Sequence, residues 1–441
     1  MITRLAGYLG GVVVAVLFAA PAVAQLDAAG LRVLQGRARS EGWTFTIDET
    51  EASQRPLHEL CGVIIPPKWR DLAPAVRFKA KAPLPGAFDL RLYCPPIRNQ
   101  GGCGSCWAFS TVGALEAAIK LRDGPDVDLS EQWLVSCNVE EEPPQVAGKG
   151  AWGCAGGWLA HDYHLSKPDP CGGYGAVFET DFPYRAADAP CACPYAHAYW
   201  IEAWAYVAGE EEVPGVSAMK QALFEHGPLS VCVNAGPIFS AYRSGVFNAD
   251  EPGTEEEPIN HAVVLVGWDD ALAEHGAWIV RNSWGSNWGE GGYMYIAYGC
   301  SNIGFGASFV EYSGDADQAG PNLVRHPVSG HAEAGRGYSF QVQAEGVGAL
   351  HYQWRKDGQP VGIDADTLAL DPVTPGDAGA YDCVVTDLRG ESVSTAAMLD
   401  VLAENSVPSV TVYGLLALAG ALCVVALSRR GLRSQRGRRE Q

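Results

Sequence analysis

Apolar residues Phe109, Val112, Leu115 and Ile119 recur three to four positions apart, the spacing of one helix face, and predict a helix that opens at about Cys106. From about Ala203 the pattern changes to short apolar runs rich in β-branched and aromatic residues and broken by Gly and Asn. Pro228 to Asn234, His261 to Gly267, Ala277 to Arg281 and Gly292 to Ala297 read as strands. Earlier in the chain, Trp43-Thr-Phe-Thr-Ile47 alternates like a strand, while no long helical pattern stands out between Gln25 and Ala82. Beyond Tyr312 a polar stretch is followed by short alternating runs at Tyr338 to Ala344, His351 to Trp354, Thr367 to Leu370 and Tyr381 to Thr386, the signature of a sandwich.

Two further apolar runs lie at the ends. Arg4, the run Gly10 to Ala20 and the small-residue site Ala22-Val-Ala24 form an export leader, and Pro21 and the shortness of the run argue against a membrane span. Val407 to Leu427 is apolar over close to the ~20 residues a membrane helix needs. Arg429, Arg430, Arg433, Arg436, Arg438 and Arg439 follow it, which places that side in the cytoplasm and the bulk of the chain outside it. This tail resembles bacterial C-terminal sorting signals, with Val407-Pro408 a weak form of the motif. A sorting enzyme acting on the tail and a permanent membrane anchor are both open. The expected organisation is a leader at 1–24, a propeptide at 25–82, a catalytic domain at 83–313, a linker at 314–321, a sandwich at 322–403 and a membrane tail at 404–441.

The chain has 441 residues and a net charge of −20, which argues against a nucleic-acid partner. Acidic runs such as Glu210-Glu-Glu212 and Glu255-Glu-Glu257 read as solvated loops. Thirteen cysteines suit an exported protein, because disulfides persist outside the reducing cytosol. No cofactor is implied, and metal binding by Cys191 and Cys193 with His197 is the weaker reading of those residues. His161 and His164, three apart, read as packing histidines rather than metal ligands.

The chemistry converges on Asn99-Gln-Gly-Gly-Cys-Gly-Ser-Cys106-Trp107. A glycine-rich loop running into a helix puts the Cys106 thiol at a helix N-terminus, where backbone N–H groups and the dipole favour a thiolate. Gln100 can aim an amide at a substrate oxyanion, as can the Cys106 N–H. The base is His261, and Asn282, at the end of the second strand, can fix its tautomer, with Trp284 and Trp288 shielding that bond. Cys-Gly-Ser-Cys-Trp followed by His and Asn resembles the papain and cathepsin signature. So do Leu129-Ser-Glu-Gln-Trp-Leu-Val-Ser-Cys137 and Gly153-Cys-Ala-Gly-Gly157, and the resemblance runs from about Leu84 to Tyr312.

The resemblance implies an α+β papain-like fold of two subdomains, one helical and one β-barrel-like, with the cleft between them. Its catalytic set would be Gln100, Cys106, His261 and Asn282. Substrate would lie along Gly156 and Gly157, with Trp158, Leu159 and Ala262 near an apolar subsite and Ser308 at its far end. Disulfides Cys103 to Cys154, and Cys137 to Cys191 or Cys193, are implied as well, while Cys94, Cys171, Cys232 and Cys300 stay unassigned. His261 lies 155 residues after Cys106, further than the roughly 130–150 of the signature, so insertions are expected, with 140–150 and 186–198 the candidates.

By resemblance residues 25–82 inhibit until removed. Cys61 within them is open to a mixed disulfide with Cys106 or to plain burial or other pairing. Asp377-Ala-Gly-Ala-Tyr381-Asp-Cys383 with Trp354 resembles an immunoglobulin-like domain, with Val342 where the partner cysteine would stand and Cys383 a buried thiol. The expected protein is a monomeric, secreted, surface- or membrane-attached cysteine peptidase acting on protein or peptide substrates. The alternative is a catalytically silent peptidase-fold adhesin or display scaffold.

Overall fold

The structure, a computed structural model, describes residues 26–79, 83–140, 152–209, 212–314 and 320–403. The leader, the membrane tail, most of the linker and most of the insertion at 140–150 lie outside these residues. Among the described residues no helix is long and apolar enough to cross a membrane. The chain divides into two compact units, 1–318 and 319–441.

The first unit contains helices α1 (Ala28–Glu41), α2 (Leu57–Leu60), α3 (Cys106–Asp123), α4 (Glu131–Cys137), α5 (His161–Leu165), α6 (Val216–His226) and α7 (Pro237–Ser240). Its strands are β1 (Thr44–Ile47), β2 (Ala75–Val76), β3 (Ala87–Asp89), β4 (Ala203–Val207), β5 (Leu229–Val233), β6 (Tyr242–Phe247), β7 (His261–Asp269), β8 (Ala277–Arg281), β9 (Tyr293–Ala297) and β10 (Phe305–Glu311). They form one mixed sheet in the order β1-β6-β9-β8-β7-β5-β10-β4-β2, with β3 beside β7. Helix α3 is buried on nearly every face, because β5, β7 and β10 lie against it as well as α4. Two hydroxyls pin it to the sheet: Ser110 Oγ donates to the Val263 carbonyl at 2.8 Å, and Ser230 Oγ donates to the Ser110 carbonyl at 2.9 Å.

Both ends of this sheet are supplied by residues before position 83. Strand β1 pairs antiparallel with β6, and β2 pairs parallel with β4, so the N-terminal segment caps the two edges that β6 and β4 would otherwise present. The alternation at Trp43 to Ile47 is the strand β1, with Phe45 packed 4.7 Å from the Phe247 ring. Helix α1 is a correction to the expectation of little helix here. It fully buries no residue, and its apolar face is only Leu31, Leu34 and Ala38, too short to stand out as a long helical pattern; its ends are set by Asp27, which accepts from the Gly30 N–H, and by Gly42 in the left-handed conformation.

The second unit is all β. It contains β11 (Asn322–Arg325), β12 (Gly330–Glu333), β13 (Tyr338–Gln341), β14 (Gln343–Glu345), β15 (His351–Lys356), β16 (Gln359–Val361), β17 (Thr367–Leu370), β18 (Gly379–Thr386), β19 (Glu391–Val393) and β20 (Ala397–Leu402). The larger sheet runs β12-β20-β18-β15-β16 with β19 beside β18, and β13 pairs with β17. Trp354 stands opposite Cys383 in register, and both are fully buried with Phe340, Val342 and Leu399. Tyr381 Oη donates to the Asp377 carbonyl at 2.8 Å, closing a tyrosine corner. Cys383 is a free thiol, buried in the same apolar cluster as Val342.

Candidate active site

Cys106 opens α3 and is wholly buried. The loop before it is fixed by the Cys103–Cys154 disulfide, which ties it to the Gly153–Gly157 loop. Tyr184, which no sequence motif points to, braces it further: its hydroxyl donates to the Gln100 carbonyl at 2.9 Å and lies 2.6 Å from Ser105 Oγ. The Gln100 amide is aimed by its neighbours. Its Oε1 accepts from Ser283 Oγ at 2.7 Å, so its Nε2 must face the other way, where it donates to the carbonyls of Cys103 (2.9 Å) and Leu60 (3.0 Å). Ser283 is therefore a positioning residue, and adjacency to Asn282 was its only trace in the sequence.

His261 begins β7, and Asn282 directly follows β8, the neighbouring strand. The imidazole Nε2 donates to Asn282 Oδ1 at 2.8 Å, and that oxygen also accepts the Ser283 N–H. With Nε2 carrying the proton, Nδ1 presents a lone pair for a thiol proton. The Trp284 ring lies 4.6 Å from the imidazole, Trp288 packs 5.2 Å from Trp284, and both tryptophans are buried, which keeps water from the His–Asn bond.

The expected sulfur–imidazole contact is not made here, and the reason is visible. The N-terminal segment runs through the cleft. The Gly62 N–H donates to Cys106 Sγ at 3.3 Å, the Leu60 carbonyl takes the Gln100 amide and lies beside the imidazole, and no hydrogen bond joins His261 Nδ1 to the sulfur. Burial pushes the Cys106 thiol up to about 11, despite the Gly62 N–H, and pulls His261 down to about 4, despite Asn282 and the Leu60 carbonyl. Both groups are thus neutral across the physiological range.

The segment continues along Gly157, whose N–H donates to the Gly62 carbonyl at 2.8 Å and whose carbonyl accepts the Ile64 N–H at 2.9 Å. Val63 and Gly157 pair in the parallel sense. Two glycines make this approach possible. A Cβ on Gly62 would stand 1.8 Å from the Gly104 carbonyl oxygen, and one on Gly157 would stand 2.6 Å from the Trp107 ring. Gly156 abuts Ile64. Further along, Trp69 is buried against Trp158, Tyr206 and Phe305, with ring centroids 5.6, 5.0 and 5.4 Å away. Trp158 and Ala262 belong to the same apolar cluster, as does Leu159. Ser308 is the neighbour of Tyr206 on the paired strand. Its hydroxyl is buried 3.3 Å from His161 Nε2, and Phe305 is the β10 residue that packs on Trp69.

The remaining cysteines resolve into Cys137–Cys191 and Cys171–Cys193, which fasten the irregular stretch 186–198. Cys61, Cys94, Cys106, Cys232, Cys300 and Cys383 are free, so Cys61 is not bonded to Cys106. Asp169, Cys171 and Cys193 are the one cluster of metal-ligating types among the described residues, but both sulfurs are bonded and Asp169 accepts the N–H groups of Cys171 and Gly173. His161 and His164 are buried neutral, each held down to about 3 by desolvation.

Residues 84–311 match the description "Papain family cysteine protease", and residues 321–401 match an immunoglobulin I-set domain. The chain is 32% identical to fruit bromelain of Ananas comosus over 50% of its own length and 56% of that protein's. It is 35% identical to cathepsin K of Gallus gallus over 54% and 62%. The chain thus spans little more than half of these curated relatives. Among solved structures it resembles digestive procathepsin L 3 of Tenebrio molitor larval midgut at a TM-score of 0.52 and 25% identity, covering 64% of this chain and 88% of that one. It also resembles the stem bromelain precursor at 0.51 and 26%, covering 64% and 87%. A match over more than half of the sequence, on a fold that sets Gln100 and Cys106 across a cleft from His261 and Asn282, leads to one assignment: the chain belongs to the papain family of cysteine proteases.

Proposed function

We propose that this chain is the latent precursor of an exported thiol peptidase that cleaves peptide bonds in protein or peptide substrates. The observation that carries the reading is the Leu60 carbonyl: a backbone C=O in the cleft already accepts the Gln100 amide, the interaction a substrate carbonyl would make. Once residues up to about 82 are removed, the cleft rehydrates and the thiol proton passes to His261 Nδ1. The Cys106 thiolate then attacks the substrate carbonyl carbon, and Gln100 Nε2 and the Cys106 N–H hold the oxyanion. His261 returns its proton to the leaving amine, and water activated by the same imidazole hydrolyses the thioester. Gly156 and Gly157 would hold substrate backbone, and Trp158 and Ala262 an apolar side chain in the slot that Trp69 fills.

The leader at 1–24 would carry the protein across the cytoplasmic membrane, and the tail at 404–441 would retain it there or serve as a sorting signal. Three disulfides favour such an oxidising destination. The immunoglobulin-like unit would act as a spacer or a binding module. The test is alkylation: iodoacetamide at pH 6–8 is expected to leave Cys106 of the unprocessed protein unmodified and to label it in the processed protein, with loss of peptidase activity in step. An unreactive Cys106 after processing would instead support the silent scaffold. Mass spectrometry of the mature C-terminus decides the tail, because an intact Gln441 rules out processing.

A further inference from the structure

Three free cysteines meet at the cleft. Cys106 is fully buried, Cys232 is fully buried on β5 next to the residue opposite His261, and Cys61 is half-buried at the end of α2. The backbone places Cys61 beside Cys106. Cys61 Cα lies about 2.4 Å from the Gly62 nitrogen by standard geometry, and that nitrogen is 3.3 Å from Cys106 Sγ. The Cys61 Cα is therefore at most about 6 Å from the Cys106 sulfur. Burial, and after it the neighbouring Cys106, holds the Cys61 thiol well above its ordinary range. The position is held on both sides, by the Cys61 N–H on the Leu57 carbonyl and by the Gly157 N–H on the Gly62 carbonyl.

We propose that Cys61 and Cys106 are a disulfide-forming pair that locks the precursor shut in an oxidising compartment, so that release of the enzyme needs a thiol reductant as well as proteolysis. This rests on the peptidase reading of Cys106. The oxidant is a low-molecular-weight disulfide. Cys61, the only one of the three with solvent access, attacks it first, losing its proton and expelling one thiol. Cys106 then attacks the Cys61 sulfur, losing its proton and expelling the second thiol. Two protein thiols become one disulfide, and the small disulfide, which takes up two electrons and both protons, becomes two thiols. Cys106 alone is shielded by Gly62 and does not react with the reagent, so Cys61 is the required relay.

The experiment uses the full chain, wild type and Cys61→Ser, incubated with oxidised glutathione, freed of reagent, alkylated and digested without reduction. The expected result is a peptide cross-linked between Cys61 and Cys106 in the wild type, and an alkylatable or free Cys106 in Cys61→Ser after denaturation. After proteolytic removal of the N-terminal segment, dithiothreitol is expected to raise the activity of the oxidised wild type at least tenfold and that of Cys61→Ser less than twofold. Alkyl groups on both Cys61 and Cys106 of the wild type would overturn the proposal, as would a Cys106–Cys232 link or glutathione on Cys106. A cross-link without activity in either protein under reductant would sustain the pair and remove the peptidase reading instead.

Discussion

Ionisable residues far from the cleft set how α3 responds to pH. Glu116 lies on α3 below Cys106. One oxygen accepts the Leu129 N–H at 3.0 Å, and the other is buried with no hydrogen-bond partner. Burial pushes this carboxyl up to about 7, against the pull of Arg281, and holds Glu131 well above the carboxylate range beside it. A carboxyl whose folded pKa exceeds its unfolded value binds more protons in the folded protein. Its stabilising contribution is full below about 4.5 and is lost as the pH rises through about 7. Glu116→Gln keeps the acceptor for Leu129 and removes the titration, so the variant is expected to lose less melting temperature than the parent between pH 5 and pH 8. An equal loss in the two proteins would show that folding does not raise the Glu116 pKa. At this scale the sequence was legible where chemistry constrains residue type. Gln100, Cys106, His261 and Asn282 stand on one cleft as their motif required. Tyr184 and Ser283 were invisible because their importance lies in contacts across 84 and 183 positions of chain.

At the level of elements, latency comes from how the N-terminal segment threads the fold. It adds a strand to each sheet edge, lays Leu60 to Ile64 through the cleft and drops Trp69 into an aromatic slot. Replacing a large buried aromatic by alanine costs about 3–5 kcal/mol. That loss falls on the closed form alone, because the slot fills with water or substrate once the segment leaves. Trp69→Ala is expected to weaken the segment's hold by roughly a hundredfold, taking about 3 kcal/mol of that cost at tenfold per 1.4 kcal/mol. The readout is residual peptidase activity of the unprocessed protein, with Cys106→Ala as the blank. No rise above the blank would mean that the hydrogen bonds of Gly62 and Gly157 suffice without the indole. Strand β1 was legible because its alternation is a half-buried edge, with Phe45 and Ile47 inward. Helix α1 and the two-residue β2 were not, the first because its apolar face of Leu31, Leu34 and Ala38 is short and only partly buried, and the second because it is too short to show a period.

At the scale of the molecule, each of the two units closes its own core. Trp107, Trp133 and Trp158 fill one, and Trp354, Phe340 and Tyr381 the other. The second was readable because Trp354, Tyr381 and Cys383 keep the spacing of an immunoglobulin sandwich even without its cystine. Stability contributions made within one core should not transmit to the other. Tyr381→Phe removes only the hydroxyl that holds the Asp377 carbonyl and leaves the ring stacked 4.6 Å from Phe340. A hydrogen bond of this kind is worth about 1 kcal/mol, which in a domain this small shifts the melting midpoint by about 4–8 °C. Calorimetry of the full chain is therefore expected to show two transitions in Tyr381→Phe and parent alike, with only that of the immunoglobulin-like unit lowered by the substitution and peptidase kinetics unchanged. A single transition that moves as a whole would mean that the two cores unfold cooperatively, and the second unit would then be part of what holds the catalytic fold together rather than an appendage to it.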